Sequence, residues 1–329
     1  MSFRRAGYLS WAFLLPLGLS LAGGTLPLSA AHADAQGYSV LARCLYAAFG
    51  VDYSGTRQID VYKDGAKSKS VQQTVYHKRG NKQRVSMSGG QMVVMNGQKM
   101  WEYFPARAKV TVRDMMDPKR DLADKLSSLR RMAANMNLHY EGTTTVADRS
   151  VYVVQIFDPR GQLLKRVWAD AGRGVELAAE RYDARGNTTF SSYFTQISFS
   201  PSFPDGAFDF QTPAGVQVEQ GPAPRKRMTM ADAQQVAGFA GVVPSYLPPG
   251  YSFDSDSVSI TQRQGRTVLW LTFSNGVDSF SLFESGIPAD MPRQKARRVV
   301  VWTKGPYLFA LVGRLPDDEV GRIKAGLNP

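Results

Sequence analysis

The sequence predicts an α+β protein: an N-terminal curved antiparallel half-barrel sheet closed by helices, joined to a smaller C-terminal α+β domain. Three observations carry this. Short runs of alternating apolar and polar residues recur from about residue 52 to 199, separated by tight turns. Only two stretches in the first two thirds of the chain switch to helical spacing. A segment without periodicity, "EQGPAPRKRMT" at residues 219–229, then separates this region from a second set of strands and helices. A chain of 329 residues with 43% hydrophobic content accommodates two packed cores.

Residues 1–33 read as a secretory signal peptide. Arg4 and Arg5 precede an apolar run from about Tyr8 to Ala22, and Ala31 and Ala33 form the A-x-A arrangement before a cleavage point. The run is short for a bilayer span and contains Pro16. The mature protein is therefore expected outside the cytoplasm. The single cysteine, Cys44, leaves it without an internal disulfide. Residues 34–218 form the first expected domain. Residues 36–50 place Val40, Leu41, Leu45, Tyr46 and Phe49 near helical spacing, with Gly50 as a stop. Hairpin turns follow at Asp64-Gly65, Gly80-Asn81 and Asn96-Gly97. Residues 118–137 carry Leu122, Leu126, Leu129, Met132 and Met136 at steps of three and four, which predicts an amphipathic helix plugging the apolar face of the sheet. Strands resume to residue 199, and "PDGAFDFQTPAGVQV" (204–218) closes the domain. Residues 219–229 are the linker and 230–329 the second domain, ending in a helix introduced by Pro316.

Composition narrows function by what it lacks. Besides His32 in the leader, only His77 and His139 remain, and no HExxH, GxSxG, phosphate loop or paired CxxC occurs. No catalytic residue, metal ligand or cofactor is expected; Asp254-x-Asp256 reads as a solvated strand start. The net charge of +12, less Arg4 and Arg5, leaves +10. An exported chain this basic favours anionic partners: lipid headgroups, lipopolysaccharide or an acidic protein segment, and not nucleic acid.

Soft apolar residues are abundant. Eight of the 12 methionines lie between Met87 and Met136, beside Trp101, Tyr103 and Phe104. Methionine suits pockets that accept varied hydrophobic guests, and equally fills ordinary cores. The expected lipid cavity between helix and sheet is lined by Met92, Met95, Trp101, Tyr103, Phe104, Leu126, Leu129, Met132, Ile156, Leu164 and Trp168.

The order of elements and the terminal "F-D-F-x-x-P-A-G-V-x-V" resemble the periplasmic lipoprotein carriers of the LolA/LolB type. The second domain narrows the likeness. "VPSYLPPGY", "LTFSNGVDSFSLFES" and "ALVGRLPDDEVGRIKAGL" resemble the C-terminal domain of the RseB/MucB family, and "VDYSGTRQIDVYKDG" with "TVYHKRGNKQRVSMSGG" is similar to its opening hairpin, whose strand ends in a histidine, here His77. One departure is the basic "KRGNKQR" after that histidine, where acidic residues are expected. The resemblance spans roughly residues 36–327. It implies a periplasmic negative regulator of an envelope-stress sigma factor, which binds the periplasmic part of a membrane anti-sigma factor and senses a lipid or lipopolysaccharide-like amphiphile. The partner surface is then expected on the second domain, at Arg293, Lys295, Arg297 and Arg298. The alternative is a lipid or lipoprotein carrier using the same cavity, for which a second domain is superfluous.

Overall fold

The computed structural model describes residues 34–221, 226–255, 257–263, 265–286 and 299–329. The expected leader and the basic run Arg293–Arg298 lie outside the described residues. No described helix is long and apolar enough to cross a membrane.

Helix α1 (Ala35–Gly50) opens the described chain. Its N-cap, Asp34, accepts the N–H of Gln36 and also that of Tyr140, which ties the start of the helix to a strand a hundred residues later. The chain then builds β1 (Tyr53–Lys63), β2 (Ala66–Lys78), β3 (Lys82–Met87), β4 (Met92–Asn96), β5 (Lys99–Phe104) and β6 (Lys109–Asp114). Positive φ at Asp64, Gly65, Gly80, Asn81 and Gly97 bears out the three expected hairpin turns. Helix α2 (Pro118–Asn135) is capped by Asp117, whose carboxylate accepts the N–H groups of Lys119 and Arg120. Strands β7 (Asn137–Val146), β8 (Arg149–Phe157), β9 (Leu163–Asp170), β10 (Glu176–Tyr182) and β11 (Thr188–Ser198) follow, and β12 (Gln217–Gln220) ends the unit.

These twelve strands form one curved sheet in the order β12-β6-β5-β4-β3-β2-β1-β11-β10-β9-β8-β7. Every pairing is antiparallel except β12 on β6. The inner face carries two adjoining apolar clusters. One gathers Tyr53, Ile59, Val75, Val85, Met95, Met100, Leu177 and Phe194. The other joins Val40, Leu41, Cys44 and Leu45 of α1 to Leu129 and Met132 of α2 and to Leu138, Val154 and Ile156 of the sheet. The plug expected from residues 118–137 is thus shared. Helix α1 lies directly on β7, β8 and β9, and α2 lies against α1. Cys44 is buried in this layer, where desolvation pushes its thiol well above the usual range.

The closing stretch has a structural task. Residues 201–216 cross the outer face of the sheet as a strap. Phe203 packs edge-on to Tyr76 and Phe208, and Phe210 lies 6.2 Å from Trp101 and 6.0 Å from Tyr103. The strap ends in β12, so part of the expected linker is strand. Gly221 continues it, donating to Val112 O.

The second unit contains α3 (Met230–Ala237), β13 (Ser252–Phe253), β14 (Ser259–Arg263), β15 (Arg266–Ser274), β16 (Ser279–Gly286), β17 (Val299–Lys304), β18 (Tyr307–Val312) and α4 (Asp317–Gly326). Its sheet runs β13-β15-β16-β18-β17, with β14 also on β15. Leu269, Leu271, Phe273, Phe280, Leu282, Phe309 and Leu311 pack against Ala233 of α3 and Val320 and Ile323 of α4.

Candidate functional site

The eleven residues expected to line one cavity occupy three places. Leu129, Met132 and Ile156 are fully packed in the α1–α2 cluster, with Leu126 and Leu164 half-buried at its margin. Met95 is buried in the adjoining cluster, and Trp168 rests against that cluster's edge. Met92, Trp101 and Tyr103 are on the other side of the sheet. Met92 pairs with Tyr103 and Val94 with Trp101, and directly paired residues share a face. That face alternates with the one bearing Met95 and Met100, and the strap covers it. Phe104 ends β5 with the Arg107 guanidinium 5.8 Å from its ring centre.

Several polar side chains sit on the inner face, Gln73 and Gln83 among them, and two of them, Arg57 and His77, have roles that composition does not show. Arg57 is aimed inward by local backbone. Regular alternation along β1 puts it on the face of Tyr53, Gly55 and Ile59, and the extra residue in the β1–β11 pair, Thr195, belongs to β11. Gly55 permits the close approach, since a β-carbon there would collide with Gln196 O. Arg57 Nε and Nη2 both donate to Gln73 Oε1, at 3.0 and 2.7 Å, and the guanidinium carbon lies 5.8 Å from the Phe194 ring centre. Burial lowers its pKa from the usual arginine value, opposed by Tyr53 and Glu176. Glu176 itself is paired with Lys165 at 3.5 Å. Among the described residues Arg57 makes no ion pair.

His77, one residue before the end of β2, lies beneath the C-terminus of α1. Its Nδ1 lies 2.8 Å from Val51 O and its Nε2 3.0 Å from Ala48 O, and its ring stacks on Tyr53 at 4.7 Å. Two acceptors favour the imidazolium, but burial outweighs them and lowers the pKa below the ordinary histidine value. The neutral ring donates to one carbonyl and clamps the end of α1 to the sheet.

The two units meet on α2. Val277, in the β15–β16 turn, is buried in the α1–α2 cluster of the first unit. Asn275 Oδ1 shapes that turn by accepting the N–H groups of Val277 and Asp278. Arg227, just beyond the undescribed part of the linker, donates to Asp124 of α2 at 2.9 Å with both side chains largely buried. Arg181 pairs with Asp278 and Arg160 with Glu319. Ser128, Arg131 and Met132 face Gly250, Ser274 and Asn275 across a small crevice. No group of side chains able to hold a metal ion occurs among the described residues.

A curved, unclosed sheet backed by two helices, with a smaller α+β unit docked on the outer helix, defines the class of molecule. No protein-family model matches the chain, and no curated protein matches it. Solved structures do. The MucA/MucB complex of Pseudomonas aeruginosa contains a chain 17% identical to this one, aligned over 90% of this chain and 99% of that one with a TM-score of 0.58. MucB in complex with MucA(peri) aligns at 19% identity over 90% and 99%, with a TM-score of 0.55. The chain therefore has the RseB/MucB-like fold across both of its units.

Proposed function

We propose that this chain is a periplasmic negative regulator of an extracytoplasmic sigma factor, which binds the periplasmic part of a membrane anti-sigma factor and senses an amphiphile within its first unit. The observation that carries this reading is the end-to-end match, covering 90% of the chain, to MucB, a protein solved in complex with MucA(peri). The second unit favours a regulator over a carrier: it is docked on α2 through Val277 and Arg227, so a change at α2 reaches it directly. An acyl chain would enter the inner face by parting α2 from α1, replacing contacts of Leu129 and Met132. Burying each of its CH₂ groups is worth about 0.8 kcal/mol. Coupling between amphiphile and partner then follows from linkage, since a ligand that moves α2 alters whichever partner surface depends on the second unit.

The partner assignment is tested with the chain from Asp34 onward and the periplasmic segment of the anti-sigma factor encoded beside it. Retention in a pull-down is expected, and amphiphile should reduce it. No retention at any salt concentration removes the regulator reading. Charge reversal at Arg293, Lys295, Arg297 and Arg298 asks whether the second unit supplies the surface. Native mass spectrometry of the purified chain is expected to show bound acyl species.

A further inference from the structure

A charged side chain in an apolar face costs free energy unless something compensates it. Most ionic side chains on this sheet are compensated: Arg113 with Glu102, Arg149 with Asp170, Lys165 with Glu176 and Lys67 with Asp60. Arg57, on the inner face, has no ion pair among the described residues, and Glu176 acts on it only through space. Arg57 projects from the inner face between Tyr53 and Ile59, across from Phe194, and its one hydrogen-bonding partner among the described residues is the neutral amide of Gln73. Gln73 is itself buried, so the guanidinium is held in a fixed orientation. Strand alternation and the close approach at Gly55 place it there.

We infer that Arg57 is the anchor for the anionic head of an apolar-tailed ligand, whose chain lies along the inner face towards Met95 and Ile59. The inference rests on the amphiphile reading above and names its head-group chemistry: a carboxylate or phosphate oxygen taking the place of the missing counter-charge. With Nε–H and one Nη2–H turned to Gln73, the two Nη1–H donors and the second Nη2–H are left for the ligand. Guanidinium-to-anion bonds in a dry site are about twice as strong as neutral ones. The anion also supplies the counter-charge that no described residue provides as an ion pair.

The test uses the chain from Asp34 onward and cis-parinaric acid, a fluorescent fatty acid, beside its methyl ester. The acid is expected to bind roughly tenfold or more tighter than the ester, a preference set by one charge-assisted bond. Arg57→Gln should erase that preference and Arg57→Lys should keep part of it. Without ligand, Arg57→Gln should melt at or above the wild-type temperature, because a charge without an ion pair has been removed from the apolar face. Dodecyl phosphate and dodecanoate should displace the probe where dodecanol does not, and whichever displaces better identifies the head group. Acid and ester binding equally, or Arg57→Gln retaining the preference, overturns the anchor and leaves lipid sensing intact. Failure of both probes to bind defeats the amphiphile reading itself.

Discussion

A β-carbon placed on Gly276 would lie 2.5 Å from Cγ of Met132, so the tip of the β15–β16 turn rests directly on the outer helix of the other unit. Gly276 also has φ +85°, where an L side chain is strained. Gly276→Ala therefore has two costs: turn strain and displacement of Met132 or of the whole turn. The expected loss is about 1–3 kcal/mol. It should appear as earlier unfolding of the second unit, with the first unit changed less. Differential scanning calorimetry measures this, and an unchanged single transition would show that the turn does not depend on the contact.

Arg227 is the second fastening. Its partner Asp124 is mostly buried on α2, and Arg131 lies on the same side, one turn further on with Ser128. Arg227→Ala strands the Asp124 carboxylate, and the expected cost is about 1–3 kcal/mol. Asp124→Asn with Arg227→Gln replaces the ion pair by amides and should recover part of it. Hydrogen exchange along α2 discriminates between local loosening and general destabilisation: faster exchange confined to residues 120–135 is the outcome expected of a fastening.

The turns and helices of this fold were legible because their chemistry is local. Asp64-Gly65, Gly80-Asn81 and Asn96-Gly97 needed positive φ, and the spacing of Leu129 and Met132 needed a helix with one buried side. The site was less legible. Softness groups Met92, Met95, Trp101 and Tyr103, whereas strand alternation divides them between two faces of the sheet. Applied to Tyr53-x-Gly55-x-Arg57-x-Ile59, the same alternation exposes an arginine on an apolar register, and that signal was available. The burial of Val277 in the other unit's core had no such signal, since it depends on how two finished surfaces meet.

His77 joins α1 to the sheet through carbonyls of Ala48 and Val51, and Tyr53 covers its ring. His77→Ala removes a buried ring and a hydrogen bond, for an expected loss of about 2–4 kcal/mol. The pH dependence has a definite sign. Burial depresses the folded-state pKa below 6.5, so the stability His77 contributes is present above the unfolded value and is lost as pH falls through the folded one. Wild type should lose more stability than His77→Gln on acidification from about pH 7 to 5, the range in which histidine titrates. Equal losses in the two proteins would mean that folding leaves the imidazole pKa unshifted.

Glu284 gives the opposite sign in the other core. It lies on β16 between Leu269 of β15 and Phe309 of β18, fully buried, and Val242 N–H donates to its Oε2 at 2.8 Å while Oε1 has no hydrogen-bond partner among the described residues. Desolvation pushes its pKa up to about 8 from 4.5. The folded state thus keeps a proton that the unfolded chain releases above pH 4.5. The contribution of Glu284 to the stability of the second unit is fully present below that value and falls by about 1.4 kcal/mol per pH unit as pH rises towards 8. Above the folded value the slope from this group vanishes, because both states are then ionised. Glu284→Gln keeps an acceptor for Val242 and cannot ionise, so the difference between wild type and variant isolates this carboxyl from every other titrating group. Urea unfolding of both proteins at pH 5, 6, 7 and 8 measures it. The variant should gain on wild type at each step, and parallel curves would place the Glu284 carboxylate in contact with solvent or a counter-charge.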